Sequence, residues 1–491
     1  MSPNTIVRSA AASRDGWYQV HPAFAEQIAA LGIDSAAGFL GLPGEVVSGH
    51  PDRHVVRIVL PGMGNVAYLK RQHMVSWREK LRNALAGFGW TSRSVREARV
   101  LQRLAADGLR CPRWMAFGED DRGRAFLLVE EIAGAVDLRE YLGDREFTPR
   151  DRRNFAKKLG GSISDYHAAG YTTPDLTAKH LLVSATNHEI IPIDWQSSRR
   201  APRVRLKERI RALAMLHASV ADHLATPRER LRVLREALGE ARRSGKVSGR
   251  FSAIARRVND LAGRFRERHS IRDQRQDRLA SAQRLVWVAG EAVCAIPDVA
   301  ASWPRDAIGP PFYGCQPGTL RLRLPDGREG FLIRGRTVAP LARLVAAIRG
   351  RSWRSPGVIL GRVLFHFERY GIAAPRLLAF GQRLTGPASA EWFALHTPPA
   401  DELPRAIDRA MAEQLGCVLR RLHDAGCRIP GEPLTAFGWK SDAVAIREIT
   451  RVILTRRIVN PEREADLARL LADLPTEWRT AAETAYRIGT P

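Results

Sequence analysis

The sequence is poor in cysteine, in lysine and in uninterrupted apolar stretches, and each shortage removes a class of protein. Five cysteines (Cys111, Cys294, Cys315, Cys417, Cys427) are scattered over 491 residues with no CxxC pair. That excludes a disulfide-stapled secreted fold and a structural zinc site, and it points to a reducing compartment. No stretch approaches the roughly 18 apolar residues of a membrane span; the best candidate, 285–301, is broken by Glu291 and Asp298. The opening MSPNTIVRSAAASRDGW has no apolar signal-peptide core, so a cytoplasmic location is expected. Lysine supplies only 8 of 77 basic residues, although the formal net charge is +25. An arginine bias spread through Ala- and Gly-rich sequence reads as compositional, so no nucleic-acid partner is expected. The other reading is affinity for an anionic surface, such as a membrane leaflet or a phosphorylated substrate.

What is present is a globular composition, 45% hydrophobic and 26% charged. At roughly 100–200 residues per domain, the length implies two to four units. Aligned with itself, the chain repeats. WTSRSVREARVLQRLAADGLRCPRWMAFG (90–118) and WRSPGVILGRVLFHFERYGIAAPRLLAFG (353–381) share 12 of 29 positions without a gap. The register extends upstream, pairing AYLKR (67–71) with GFLIR (330–334), and downstream, pairing LGGSISDYHAAG (159–170) with LGCVLRRLHDAG (415–426). Two copies of one domain follow. The expected organisation is an N-terminal tail at 1–16, a first domain at 17–285, a Pro-rich connection at 286–318 and a second domain at 319–491. Pro304, Pro310, Pro311 and Pro317 give the connection its extended character.

In the first copy, 54–60 and 66–72 read as β-strands joined by PGMGN. Ser92 is a fitting N-cap for a helix through Ala106, with Val95, Ala98, Leu101 and Leu104 on one face. The segment 125–132 reads as a buried strand, 150–169 as a helix stopped by Gly170, and 181–183 and 190–194 as short strands. Mostly helical, Arg-rich sequence runs on to about residue 285. The fold class is therefore α+β, a small strand-rich lobe with one helix followed by a larger helical lobe, in tandem.

Lys70 falls near the end of the second strand, and Glu97 lies 27 residues later on the following helix. An acid on a helix that fixes a strand ammonium is a device for holding nucleotide phosphates. Asp175 opens DLTAKHLLV, His180 follows five residues later, and Asp194 comes 14 residues after that. A base near the nucleophile, a ligand five residues on, and a carboxylate after the next strand is the spacing of kinase catalytic and metal loops.

Together YLKR (68–71), the SxxREARVLQRL helix from 92, GLRCPRWMAFG (108–118), HAAG followed by DLTAKHLLV (167–183) and Ile193-Asp194 resemble the lipopolysaccharide kinase family (Kdo kinase, WaaP and InaA-like), a divergent branch of the protein-kinase-like fold. The resemblance covers about residues 17–285. It implies tandem bilobal kinase-like domains, ATP and Mg²⁺ as cofactors, and a sugar hydroxyl of a lipopolysaccharide core or related envelope glycolipid as acceptor. It also implies that Lys70 holds the α- and β-phosphates, Glu97 orients Lys70, Asp175 is the catalytic base, and Asp194 and His180 serve the metal. Imidazole is a poor partner for hard Mg²⁺, so ordering of the loop is the alternative role for His180. Three features depart from the pattern. Thr173-Pro174 precedes Asp175 in place of His-Arg, Trp195-Gln196 follows Asp194, and no GxGxxG precedes Lys70. Ser48 and Gly49 are the nearest substitute for a phosphate-covering loop, with an ordinary β-turn as the other reading. Backbone groups around Glu130 to Ile132 are the expected seat of adenine.

The second copy carries Ile333 opposite Lys70, Leu360 opposite Glu97 and Gly431 opposite Asp175, and its stretch AIREIT has no Asp to match Asp194. A degenerate, pseudokinase-like domain is expected. The Arg-rich helical stretch 203–278 reads first as a solvated face, and otherwise as a surface for anionic headgroups at the inner face of the cytoplasmic membrane. Three functions stay open: the glycolipid kinase, an enzyme of the same fold with a small-molecule or protein acceptor, and a non-catalytic basic scaffold.

Overall fold

The computed structural model describes residues 16–50, 53–60, 66–73, 75–143, 147–239, 251–275, 286–287, 293–295, 299, 317–324, 327–348, 353–385, 389–455 and 458–488. The tail before Gly16, the PGMGN turn and the proline-bearing stretch 301–316 lie outside these. Contacts divide the chain into two units, residues up to 48 with 52–266, and residues 49–51 with 267–491. The division thus falls between Arg266 and Glu267, and short strands at 286–287 and 293–295 pair into the second unit's sheet. Two- and three-residue strands carry no periodic signal, which is why the sequence reading assigns them to the connection.

The first unit opens with a six-stranded antiparallel sheet of β1 (Trp17–Val20), β2 (Glu45–His50), β3 (Arg53–Val59), β4 (Val66–Gln72), β5 (Trp114–Glu119) and β6 (Ala125–Glu130), in the order β1-β5-β6-β4-β3-β2. Strand alternation sorts its two faces. Val56, Ile58, Ala67, Leu69, Phe126 and Leu128 point to one side, where α1 (Ala25–Ala29) and α2 (Ala36–Gly41) cover them with Ile28, Phe39 and Leu40. The other face carries Phe117, Leu127 and Val129 against α4 (Arg93–Ala106), which follows a short α3 (Trp77–Leu85). Ser92 caps α4 as its sequence implies, its hydroxyl accepting the Val95 N–H at 3.3 Å, and Val95, Ala98, Leu101 and Leu104 are buried.

Tyr166, Tyr171 and Trp195 from the helical part join the core under α4. That part contains β7 (Ala135–Asp137), α5 (Leu138–Gly143), α6 (Pro149–Ala168), β8 (Tyr171–Thr172), β9 (Leu181–Ser184), β10 (Ile190–Pro192), β11 (Arg199–Arg200), α7 (Leu206–Ser219), α8 (Pro227–Ala237) and a helix at Phe251–Arg266. Gly170 ends α6 with φ +90°, a conformation that a side chain would strain.

The second unit has its own six-stranded sheet, with β12 (Val286–Trp287), β13 (Val293–Ala295), β14 (Gly318–Arg323), β15 (Glu329–Val338), β16 (Leu377–Leu384) and β17 (Ser389–His396) in the order β12-β13-β16-β17-β15-β14. A helix at Pro356–Arg369 has the same length as α4, and Ser355 caps it through the Val358 N–H. Among the described residues, no helix is long and apolar enough to cross a membrane.

Candidate active site

Lys70 sits on the middle strand of the β3-β4-β6 ladder, paired with Val55 on one side and Leu127 on the other. Because Ala67 and Leu69 face the α1–α2 core, alternation turns Tyr68 and Lys70 to the α4 side. There the Lys70 ammonium donates to Glu97 Oε1 at 2.7 Å. The Glu97 side chain is 6% exposed, against 27% for Lys70. The same carboxylate oxygen accepts the backbone N–H of Trp195 at 3.2 Å. One buried acid therefore ties a strand, a helix and the segment after Asp194 together. Burial alone would push the Lys70 ammonium down, but Glu97, then Asp194, outweigh it and hold Lys70 above the ordinary lysine range.

Two turns at the ends of the β9–β10 hairpin bring the next residues in. The register pairs Leu181 with Pro192, so the residues before β9 and after β10 are neighbours, and the Ile193 N–H donates to the His180 carbonyl at 2.8 Å. Asp194 is not the last strand residue that the sequence suggests. The strand stops at Pro192, and Asp194 adopts a left-handed conformation, φ +61° and ψ +60°, ahead of a 3-10 turn at Trp195–Ser197. Such a backbone costs roughly 1–3 kcal/mol in a residue with a Cβ. Here it presents the carboxylate toward Lys70; burial alone would push Asp194 up, but the charge of Lys70, with that of Arg53, outweighs it and keeps Asp194 below the usual carboxylate range.

His180 links the two acids. Its Nδ1 lies 2.9 Å from the Asp175 carbonyl and its Nε2 lies 3.4 Å from Asp194 Oδ2. A carbonyl only accepts, so Nδ1 carries the proton. Burial, the largest influence, pushes the imidazole below its ordinary range and keeps it neutral. Two acceptor atoms, Nε2 and Oδ2, then face each other, an arrangement that a shared cation satisfies. Asp175 is half-buried in the turn after β8, with its N–H on Thr173 Oγ1 at 3.2 Å. Asp194 and His180 thus fit a divalent ion, although among the described residues no cluster of three or more His, Cys, Asp or Glu side chains is arranged to hold a metal.

The remaining candidates fare differently. Ser48 and Gly49 lie within β2, in regular strand rather than in a turn. Glu130 closes β6, its N–H donating to the Arg113 carbonyl at 2.9 Å and its carboxylate pairing with Arg113 at 3.2 Å. The Ile132 carbonyl accepts the Ala135 N–H. Between them, Glu131 receives the Tyr68 hydroxyl at 2.9 Å and Arg57 Nε at 3.3 Å.

Residues that sequence reasoning passed over also enter the site. Arg53, the first residue of β3, donates to the Gln196 side-chain carbonyl, and its charge acts on both Lys70 and Asp194. Lys179 acts on His180 and Asp194. Strand alternation from Lys70 back across the hairpin could have found Arg53, since Arg53, Val55 and Arg57 share a face.

In the second unit Ile333 stands on β15 between Thr319 and Ala394, and Leu360 is buried on the helix Pro356–Arg369. Gly431 is exposed in a bend. Arg447 N–H donates to the Ala436 carbonyl at 2.9 Å, as Ile193 does to His180, so Ala436 and Glu448 flank the hairpin Phe437–Ile446 as His180 and Asp194 flank β9–β10.

Residues 39–236 match the model of the Lipopolysaccharide kinase (Kdo/WaaP) family. Among solved structures, one similar to this chain is WaaP in complex with acyl carrier protein, at 23% identity over 50% of this chain and 98% of that one, TM-score 0.37. Two others are Rad53 1-466 in complex with AMP-PNP, at 19% identity over 39% and 44%, TM-score 0.25, and the yeast RNA Pol II CTD kinase CTDK-1 complex, at 15% identity over 30% and 43%, TM-score 0.23. No curated protein matches the sequence.

Proposed function

We propose that the first unit, whose residues 39–236 match the model of the lipopolysaccharide kinase (Kdo/WaaP) family, transfers the γ-phosphoryl group of ATP to a sugar hydroxyl of a lipopolysaccharide core or related envelope glycolipid. The observation that carries this reading is the Glu97 carboxylate, which holds the Lys70 ammonium and the backbone beside Asp194 at once. Lys70, kept protonated, would grip the α- and β-phosphates, and Glu97 would keep it from swinging away. The Asp175 carboxylate would take the hydroxyl proton as the acceptor oxygen bonds to phosphorus and the bond to the β-phosphate oxygen breaks. Asp194, with His180, would hold a divalent cation, which supplies charge neutralisation on the transferred group.

The second unit is, in this reading, a degenerate copy. An apolar Ile333–Leu360 pair fills the place of an ion pair without its desolvation cost, and neither Gly431 nor Ala436 offers a side-chain base or ligand. The two units would correspond to the two expected copies, with the boundary at 266/267 and the strands at 286–287 and 293–295 belonging to the second. The basic helical surface would rest on anionic lipid headgroups at the inner membrane face, bringing the first unit to a lipid-anchored acceptor.

The test is ATP consumption by the full chain offered purified lipopolysaccharide, free sugars or a generic protein, beside Asp175→Ala and Asp194→Ala. Turnover on glycolipid that both substitutions abolish supports the proposal. Turnover with sugars or protein alone moves the acceptor elsewhere. Unchanged turnover in Asp175→Ala removes its assigned role.

A further inference from the structure

We propose that Arg53 is a phosphate ligand that replaces the missing glycine-rich loop, and that Gln196 parks its guanidinium until nucleotide enters. This rests on the kinase reading of the same site. The sequence has no GxGxxG before Lys70, and β2 runs as ordinary strand through Ser48 and Gly49, so among the described residues before Lys70 no glycine-rich loop presents successive backbone N–H groups to the β- and γ-phosphates. Arg53 is the residue at the start of the next strand. It shares its face with Val55, which pairs directly with Lys70.

Each neighbouring arginine is held by a carboxylate or by two acceptors, where Arg53 has one among the described residues. Arg57 pairs with Glu131, Arg71 bonds the Leu42 carbonyl and His54, and Arg96 bonds Asn83 and the Ser198 carbonyl. Arg53 has no carboxylate partner among the described residues. Its partner is the neutral side-chain amide of Gln196, on the 3-10 turn directly after Asp194. A neutral acceptor satisfies one N–H without offsetting the charge, and among the described residues no carboxylate pairs with it. The charge reaches the site, since it disfavours the Lys70 ammonium and favours the Asp194 carboxylate.

The placement of Arg53 decides what it is for. It stands on the strand face that carries Lys70 and reaches the turn directly after Asp194, and a planar guanidinium with five donors suits two phosphate oxygens at once. The exchange of one neutral acceptor for two anionic ones favours the bound state.

The experiment measures binding of adenosine, AMP, ADP and ATP, with Mg²⁺ or Mn²⁺, to the full chain by calorimetry. Wild type, Arg53→Met, Arg53→Lys and Gln196→Ala are compared, with folding checked by circular dichroism. Arg53→Met is expected to lose roughly 10- to 100-fold in ATP affinity and nothing for adenosine. Arg53→Lys should recover part of the loss, and Gln196→Ala should bind ATP at least as tightly as wild type. If wild type binds none of the nucleotides, the kinase reading falls and this proposal with it. If wild type binds ATP and Arg53→Met binds it equally well, only the role of Arg53 falls. A Gln196→Ala loss as large as that of Arg53→Met would make the pair structural and overturn the proposal.

Discussion

Nε2 of His180 faces Oδ2 of Asp194 at 3.4 Å while Nδ1 of the same ring is engaged on the Asp175 carbonyl. The neutral ring offers a lone pair to a site whose other donor is a hard carboxylate. A mixed N,O set suits Mn²⁺ better than Mg²⁺. Turnover supported by Mn²⁺ is therefore expected to exceed that with Mg²⁺, and His180→Asn should shift the ratio toward Mg²⁺. Parallel metal titrations of the two proteins check this, and an unchanged ratio would leave His180 with a loop-ordering role only.

Lys70 and Glu97 give a stability prediction. Glu97→Ala leaves a mostly enclosed ammonium without its counter-charge and frees the Trp195 N–H. Allowing for the 27% exposure of the Lys70 side chain, the cost is about 1–3 kcal/mol. The double change Lys70→Ile with Glu97→Leu copies the apolar residues of the second unit. It is expected to recover stability to within about 1 kcal/mol of wild type while transferring no phosphate. Hydrogen exchange of the α4 amides in the full chain reads this locally, and a double variant no more protected than Glu97→Ala would refute it.

The local elements were legible because their signals are local. Ser92 lies before a clean apolar stripe, and α4 begins where that cap requires. Gly170 follows a long helical pattern, and α6 ends there. The spacing of His180 and Asp194 was legible because it spans a single hairpin, β9–β10, and that of Lys70 and Glu97 because the strand and the helix that carry them pack on each other. Arg53 and Gln196 were not legible together. They are 143 residues apart and meet only once β3 and the turn after β10 are folded. The left-handed backbone of Asp194 was likewise hidden, since an Asp after an apolar run reads as a strand end. The sequence sets the stretch AIREIT opposite Asp194, and the hydrogen bond from Arg447 to Ala436 singles out Glu448 within it as the residue that follows its hairpin as Asp194 follows β10.

Nucleotide should therefore protect one unit selectively. Glu448 preserves a carboxylate, but Ile333, Leu360, Gly431 and Ala436 preserve neither the cation, its partner, the base nor the imidazole. With saturating Mn-ATP, slowed amide exchange is expected in β4, α4 and the 3-10 turn Trp195–Ser197, and none in β15 or the helix Pro356–Arg369. Protection of equal size in both units would mean that the second still binds nucleotide.

Acid sensitivity follows from two buried imidazoles of the first unit. Burial, followed by the charge of Arg71, pushes His54 down to about 4, and burial, followed by Arg209, pushes His167 down to about 3. Both rings are nearly inaccessible, at 5% and 3% exposure. Unfolded, each titrates near the ordinary 6.5, so between that value and its folded value the unfolded chain binds more protons and stability rises with pH. Above about pH 6.5 neither ring contributes a slope. Lowering the pH from there to about 4 should cost roughly 3 kcal/mol for each ring at about 1.4 kcal/mol per pH unit. Denaturant melts at pH 7.5, 6, 5 and 4 are expected to show that decline, and His54→Gln or His167→Gln should flatten it. An imidazole at either position that titrates near 6.5 by NMR in the folded protein would contradict the burial argument, because a ring that charges at its ordinary pH has kept its water.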